Sequence, residues 1–106
     1  MFNIPSILSK LDEVEMMLTD EKCSLEGITE HWLYDQEVEF LKKIYKFRMR
    51  SHFSCNLMKH GGLLILSRSD IHCCNNQQLV QPSVENQCEI SAVSVYNVDI
   101  IFINIY

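Results

Sequence analysis

The chain has 106 residues, 47% of them hydrophobic, and a formal net charge of −5. That length suits one small domain, the apolar content argues against disorder throughout, and the negative balance argues against a surface built to neutralise phosphates. The charge is uneven: most acids and lysines precede Arg50, and the remainder is nearly uncharged.

Met1–Leu18 reads as an amphipathic helix. Pro5 suits a first turn, and Ile7, Leu8, Leu11, Val14 and Leu18 make one stripe opposite Lys10, Asp12, Glu13 and Glu15. Such a stripe fits packing on its own domain or docking to another chain. Thr19–Thr29 has no clear period and, with Ser24 and Gly27, reads as a polar connector. A second helix is expected over Asp35–Arg48. Asp35 suits the N-cap, Glu37 and Glu39 the first turn, and Lys42, Lys43, Lys46 and Arg48 the C-terminal end, each matching the helix dipole. Val38, Leu41, Ile44 and Tyr45 form its apolar side.

Five strands are expected after this helix, over 52–106. His52–Lys59 alternates, with Phe53, Cys55 and Leu57 on one face. His60-Gly61-Gly62 is a turn, and Leu63–Leu66 a short apolar strand. Ile71–Val80 is a weaker strand with a polar middle. Gln87–Val95 and Val98–Tyr106 close the chain around Tyr96-Asn97, with a bulge or bend expected between Ala92 and Val93. The last strand is apolar on both faces: Val98, Ile100 and Phe102 point one way, and Ile101, Ile103 and Ile105 the other. Such a strand needs covering or a partner. With Val93 and Val95 of the preceding strand, Ile100, Ile101, Phe102, Ile103 and Ile105 are the candidate partner-binding residues.

The predicted class is α+β, mainly β: N-terminal helices, then a strongly bent five-stranded antiparallel sheet or small barrel. This pattern resembles the Sm and Sm-like (LSM) proteins over about Asp35–Tyr106, leaving 1–34 as a helical extension and connector. Gly62, Leu63–Leu66, Asp70, Asn75 and Leu79 fit the first Sm motif loosely, and Val93–Ile100 the second. Tyr96 stands where the motif has Arg, and Asn97 where it has Gly. Tyr cannot replace the arginine's fork of donors, and Asn75 lies one residue beyond the usual spacing from Asp70. Specific U-rich RNA binding is therefore not expected. Tyr96-Asn-Val-Asp-Ile-Ile101 is most similar to the Gemin-7 family of SMN-complex subunits. That resemblance implies a non-catalytic scaffold in spliceosomal snRNP assembly. It would pair edge strands with a Gemin-6-like Sm-like protein and contact other SMN-complex subunits and Sm proteins. An RNA-binding Sm-like protein and an unrelated small α+β interaction domain are the alternatives.

The five cysteines are odd in number, and the start lacks a signal-peptide pattern. Free thiols, a reducing cytoplasmic and nuclear setting and no membrane span are the resulting expectations. No C-x₂₋₄-C pair favours zinc, and Asp70 with His72 makes only a weak acid–base pair. The expectation is no enzyme and no cofactor.

Overall fold

Leu63-Leu-Ile-Leu66 is apolar at every position, and such a run must be covered on both faces. The computed structural model of the chain, which describes residues 2–21, 24–41, 43–44, 46–57, 60–85, 87–96 and 98–106, places it at the centre of the molecule. The run belongs to β5 (Leu63–Arg68), the middle strand of a five-stranded sheet. Its companions are β1 (Phe2–Asn3), β2 (Leu25–Thr29), β3 (Lys43–Ile44) and β4 (Phe47–Phe53), in the order β1-β2-β5-β4-β3. All neighbours are antiparallel except β1, which runs parallel to β2. Alternation along β5 sends Leu64 and Leu66 into a core beneath a helical layer, where they meet Ile7, Val14, Leu18 and Leu41. That layer holds a 3₁₀ turn (Ile7–Lys10), α1 (Leu11–Glu21) and a 3₁₀ segment (Asp35–Leu41).

Ile65 points to the other face, where Cys73 and Val93 of a second sheet meet it. This sheet consists of β6 (Cys73–Asn75), β7 (Ile90–Val95) and β8 (Ile100–Ile105), in that order and antiparallel. One helical turn, α2 (Gln77–Val80), links β6 to β7; Asn76 caps it by accepting from the Leu79 N–H. The class is α+β: a helical layer, a five-stranded sheet and a three-stranded sheet.

Several expectations are corrected. The helix expected over Asp35–Arg48 is a 3₁₀ segment only to Leu41, and the chain from Phe47 onward is strand. Phe47 and Met49 alternate with Arg48, and as β4 they pair with β5 and fill the core beneath the helices. Tertiary pairing outweighs the helical charge pattern there. The strand expected over His52–Lys59 ends at Phe53, which leaves Leu57 exposed. The expected connector Thr19–Thr29 contains β2, which pairs with β5 along Leu25–Thr29, so the sheet crosses the expected division at Tyr34–Asp35. The first helix begins at Leu11 rather than Met1, and its apolar stripe packs on this domain.

The register slip falls between Met49 and Ser51, where Arg50 is the extra residue. Arg50 reaches back to donate to Ser67 Oγ (2.7 Å) and the Ile71 carbonyl (3.0 Å). No slip occurs at Ala92–Val93, whose ladder to β8 is continuous. Five strands do follow one another from β4 to β8, but they do not form one sheet or a closed barrel. β2 occupies the second edge of β5, so β6 begins a new sheet.

Candidate functional site

Among the described residues, β8 has a strand neighbour on one side only. Its sequence, Ile100-Ile-Phe-Ile-Asn-Ile105, carries no charge. Glu89 and Tyr106 exchange both backbone hydrogen bonds, at 3.1 and 3.0 Å. Bonded and non-bonded pairs alternate along an antiparallel ladder. Following the register through Ile90↔Ile105, Ser91↔Asn104, Ala92↔Ile103, Val93↔Phe102 and Ser94↔Ile101, Asn104 and Phe102 bond to β7. Ile101, Ile103 and Ile105 therefore direct their N–H and C=O groups away from β7, toward the open edge. Their side chains are 53%, 44% and 57% exposed. The same three residues thus offer apolar surface and backbone bonding capacity.

Asn104 holds the strand in this register. Its side chain is buried and points to the larger sheet, where Nδ2 donates to the carbonyls of Ile28 (3.2 Å) and Leu64 (3.4 Å). Gly27 makes room: a Cβ there would lie 2.9 Å from Asn104 Cγ. A slip of one residue would bury an isoleucine against those carbonyls and expose the amide. Glu89 fastens the far end of the hairpin. Its carboxylate accepts from the Gly62 N–H and the Cys55 thiol, both at 3.0 Å. The Tyr106 hydroxyl donates to Glu30 at 2.8 Å.

The predicted partner-binding residues separate into two groups. Ile100, Ile101, Ile103 and Ile105 are exposed. Val93 lies in the core between the sheets, with Val95 and Phe102 packed against it. Val93 is fully buried, whereas Val95 and Phe102 keep part of their surface exposed. The Sm-motif positions are dispersed. Gly62 (φ +88°) forms a buried turn against His31 and Glu89. Asp70 is exposed and accepts from Arg68 at 3.1 Å. Asn75 accepts from Ser51 at 2.6 Å and donates to Gln77 at 2.9 Å. Tyr96 lies three pairs along the β6–β7 ladder from Asn75, about 10 Å away. Asn97 is outside the described residues.

Sequence reasoning missed the buried His31–Gly62–Glu89–Cys55 arrangement, whose members are far apart in the chain. The Leu33 N–H donates to His31 Nδ1 (3.0 Å), so the ring proton sits on Nε2, 3.1 Å from the Phe53 carbonyl. Burial pushes the imidazole down to about 4, against the upward pull of that carbonyl. Burial and the Glu89 carboxylate push the Cys55 thiol up to about 12. A neutral imidazole and a fully protonated thiol are structural parts, not an acid–base or nucleophilic pair near neutrality. A groove of about 420 Å³ with mixed polar and apolar walls lies along β4, lined by Asp35, Arg50, His52, Phe53, Asn75 and Val80 among others. His52 and Asp35 approach to 3.6 Å across it.

Among the described residues, no group of three or more His, Cys, Asp or Glu could hold a metal ion. No described helix is long and apolar enough to cross a membrane. No family model matches the chain, and no curated protein matches it.

Proposed function

We propose that this protein is a non-catalytic assembly subunit that binds another protein by accepting a strand on the open edge of β8. The observation that carries this reading is the coincidence at Ile101, Ile103 and Ile105 of exposed apolar side chains with outward-facing backbone groups. Strand addition satisfies both: main-chain hydrogen bonds supply affinity, and alternate side chains supply specificity. Edge strands of monomeric proteins are commonly blunted by lysine, proline, a bulge or short length. β8 has six residues, none of them Lys or Pro, in unbroken register with β7. The Sm-like resemblance implies a partner of the same type, Gemin-6-like, and a role in snRNP assembly. Edge pairing is the feature that β8 shares with that reading.

The test compares the full chain with its Ile103→Lys variant as bait in native extract, read by mass spectrometry. Amide exchange at Ile101, Ile103 and Ile105 is then followed in each purified complex. Proteins retained by the wild type, lost by the variant and slowing exchange at those three amides support strand addition. Equal retention by both baits rejects it. Recovery of Sm-like proteins among the lost set would support the assembly role; its replacement by unrelated proteins would leave a general interaction domain.

A further inference from the structure

The outward positions of β8 read Ile101, Ile103, Ile105, the same residue at equal spacing about a centre. A strand of this kind is complementary to itself. We propose that the edge of β8 is occupied by β8 of a second copy of this chain, paired antiparallel about a two-fold axis through Ile103. The proposal rests on the reading that β8 accepts a strand, and it names the occupant.

Register follows from the backbone. The groups that face out belong to Ile101, Ile103 and Ile105, so these residues must form the hydrogen-bonded pairs of any antiparallel partner. With the axis at Ile103, that residue pairs with its own copy, Ile101 pairs with Ile105 of the copy, and Ile105 with Ile101. Every outward donor and acceptor of the three is then satisfied. An axis at Asn104 leaves Ile101 without an opposite residue in the strand. An axis at Phe102 sets Ile105 opposite Asp99, which places a carboxylate against an isoleucine. The Ile103 axis alone uses all three residues without that mismatch.

Charge permits the same arrangement. A two-fold axis brings like groups together, and a single lysine or glutamate near the axis would face its own copy across it. Between Ile100 and Tyr106 there is no ionisable side chain except the Tyr106 phenol, which is held by Glu30 on its own chain. The strand itself therefore brings no charged side chain to the axis. The two copies extend the three-stranded sheet to six strands and set the exposed isoleucines of one copy beside those of the other on the same face. A strand from any other protein has to displace the second copy, so self-pairing and partner binding compete for one edge.

Sedimentation velocity on the full chain, up to concentrations on the order of 100 μM, should show a dimer. Ile103→Lys should raise its dissociation constant at least roughly 5-fold, since the axis sets each ammonium directly opposite that of its own copy. Far-UV circular dichroism should stay unchanged, and Ile105→Glu serves as a second variant if Ile103→Lys fails to fold. Disulfide trapping then reads the register, in a background of Cys23→Ser, Cys74→Ser and Cys88→Ser. Hydrogen-bonded antiparallel neighbours lie about 5.5 Å apart between Cα atoms, within disulfide range. Ile103→Cys should cross-link to itself, whereas Ile101→Cys and Ile105→Cys should cross-link efficiently only when mixed. A monomer throughout the range, a dimer that both charged variants leave intact, or equal self-linking at Ile101 overturns the proposal. If the chain is monomeric while Ile103→Lys still loses proteins that the wild type retains, the second copy is rejected and strand addition by another protein stands.

Discussion

β5 and β8 have nearly the same composition and opposite situations. Each presents aliphatic side chains on both faces, as Leu63-Leu-Ile-Leu66 and as Ile100-Ile-Phe-Ile103. β5 has a strand on either side, helices over one face and a second sheet over the other, and all four leucine and isoleucine residues are buried. Among the described residues, β8 has one strand neighbour, an inner face held by Asn104 and an outer face of exposed isoleucines. Hydrophobicity identifies a strand that requires cover without saying whether the cover comes from the same chain. In β5 the apolar side chains are buried in the fold; in β8 most of them stay exposed.

The sharpest way to break this comparison is to truncate one side chain on each strand. Leu64→Ala removes buried contacts beneath the helices and should cost about 2–5 kcal/mol in urea unfolding. Ile103→Ala, measured at concentrations low enough to dissociate any dimer, should change stability by less than about 1 kcal/mol. Equal losses would mean that β8 belongs to the core.

The interior also carries a titratable group that the β8 edge lacks. His31 is neutral in the fold, with its pKa lowered to about 4 from an ordinary 6.5. Between those values the unfolded chain binds the proton and the folded chain does not, so stability rises with pH across the window. The contribution should be fully present above about pH 6.5 and lost as pH falls toward 4, by at most about 3 kcal/mol. Unfolding midpoints from pH 7.5 to 4 should show this slope, and His31→Asn should flatten it at the cost of lower stability throughout.

A smaller effect tests how β8 is held. Gly27→Ala pushes a methyl against the Asn104 side chain, and Asn104→Ala removes the anchor. Each should cost about 1–2 kcal/mol. Because the second change removes the atoms that the first collides with, the double variant should lose less than the sum of the two. Strict additivity in a thermal-unfolding cycle would argue that Asn104 does not register the strand.

The smallest effect leaves stability untouched. In a Cys23→Ser background, Cys74 and Cys88 should alkylate quickly, while Cys55 and Cys73 should react only on unfolding. Burial protects both, and the thiol of Cys55 is pushed up to about 12. Mass-resolved labelling distinguishes the two classes, and rapid modification of Cys55 would contradict its contact with Glu89.

Sequence alone determined that Leu63–Leu66 and the closing hairpin are strands, because β-branched and aliphatic runs bounded by turn residues favour a pleated surface. It also determined that Ile101, Ile103 and Ile105 share a face, since alternation is a local property of the backbone. Leu25–Thr29 could not be read: Glu26 and Ile28 fall on one face, and its strand character comes from the ladder to β5. Asp35–Arg48 has helical charge order, yet Phe47 and Met49 serve better as rungs beside β5. The anchor at Asn104 and the buried contact between Cys55 and Glu89 join residues 34 or more positions apart. Only the tertiary structure decided that β2 takes the second edge of β5, that the last three strands form a separate sheet, and that β8 lies at its rim. Which strand becomes an edge depends on hydrogen-bond partners distant in the chain, and the side chains of β5 and β8 would read alike in either position.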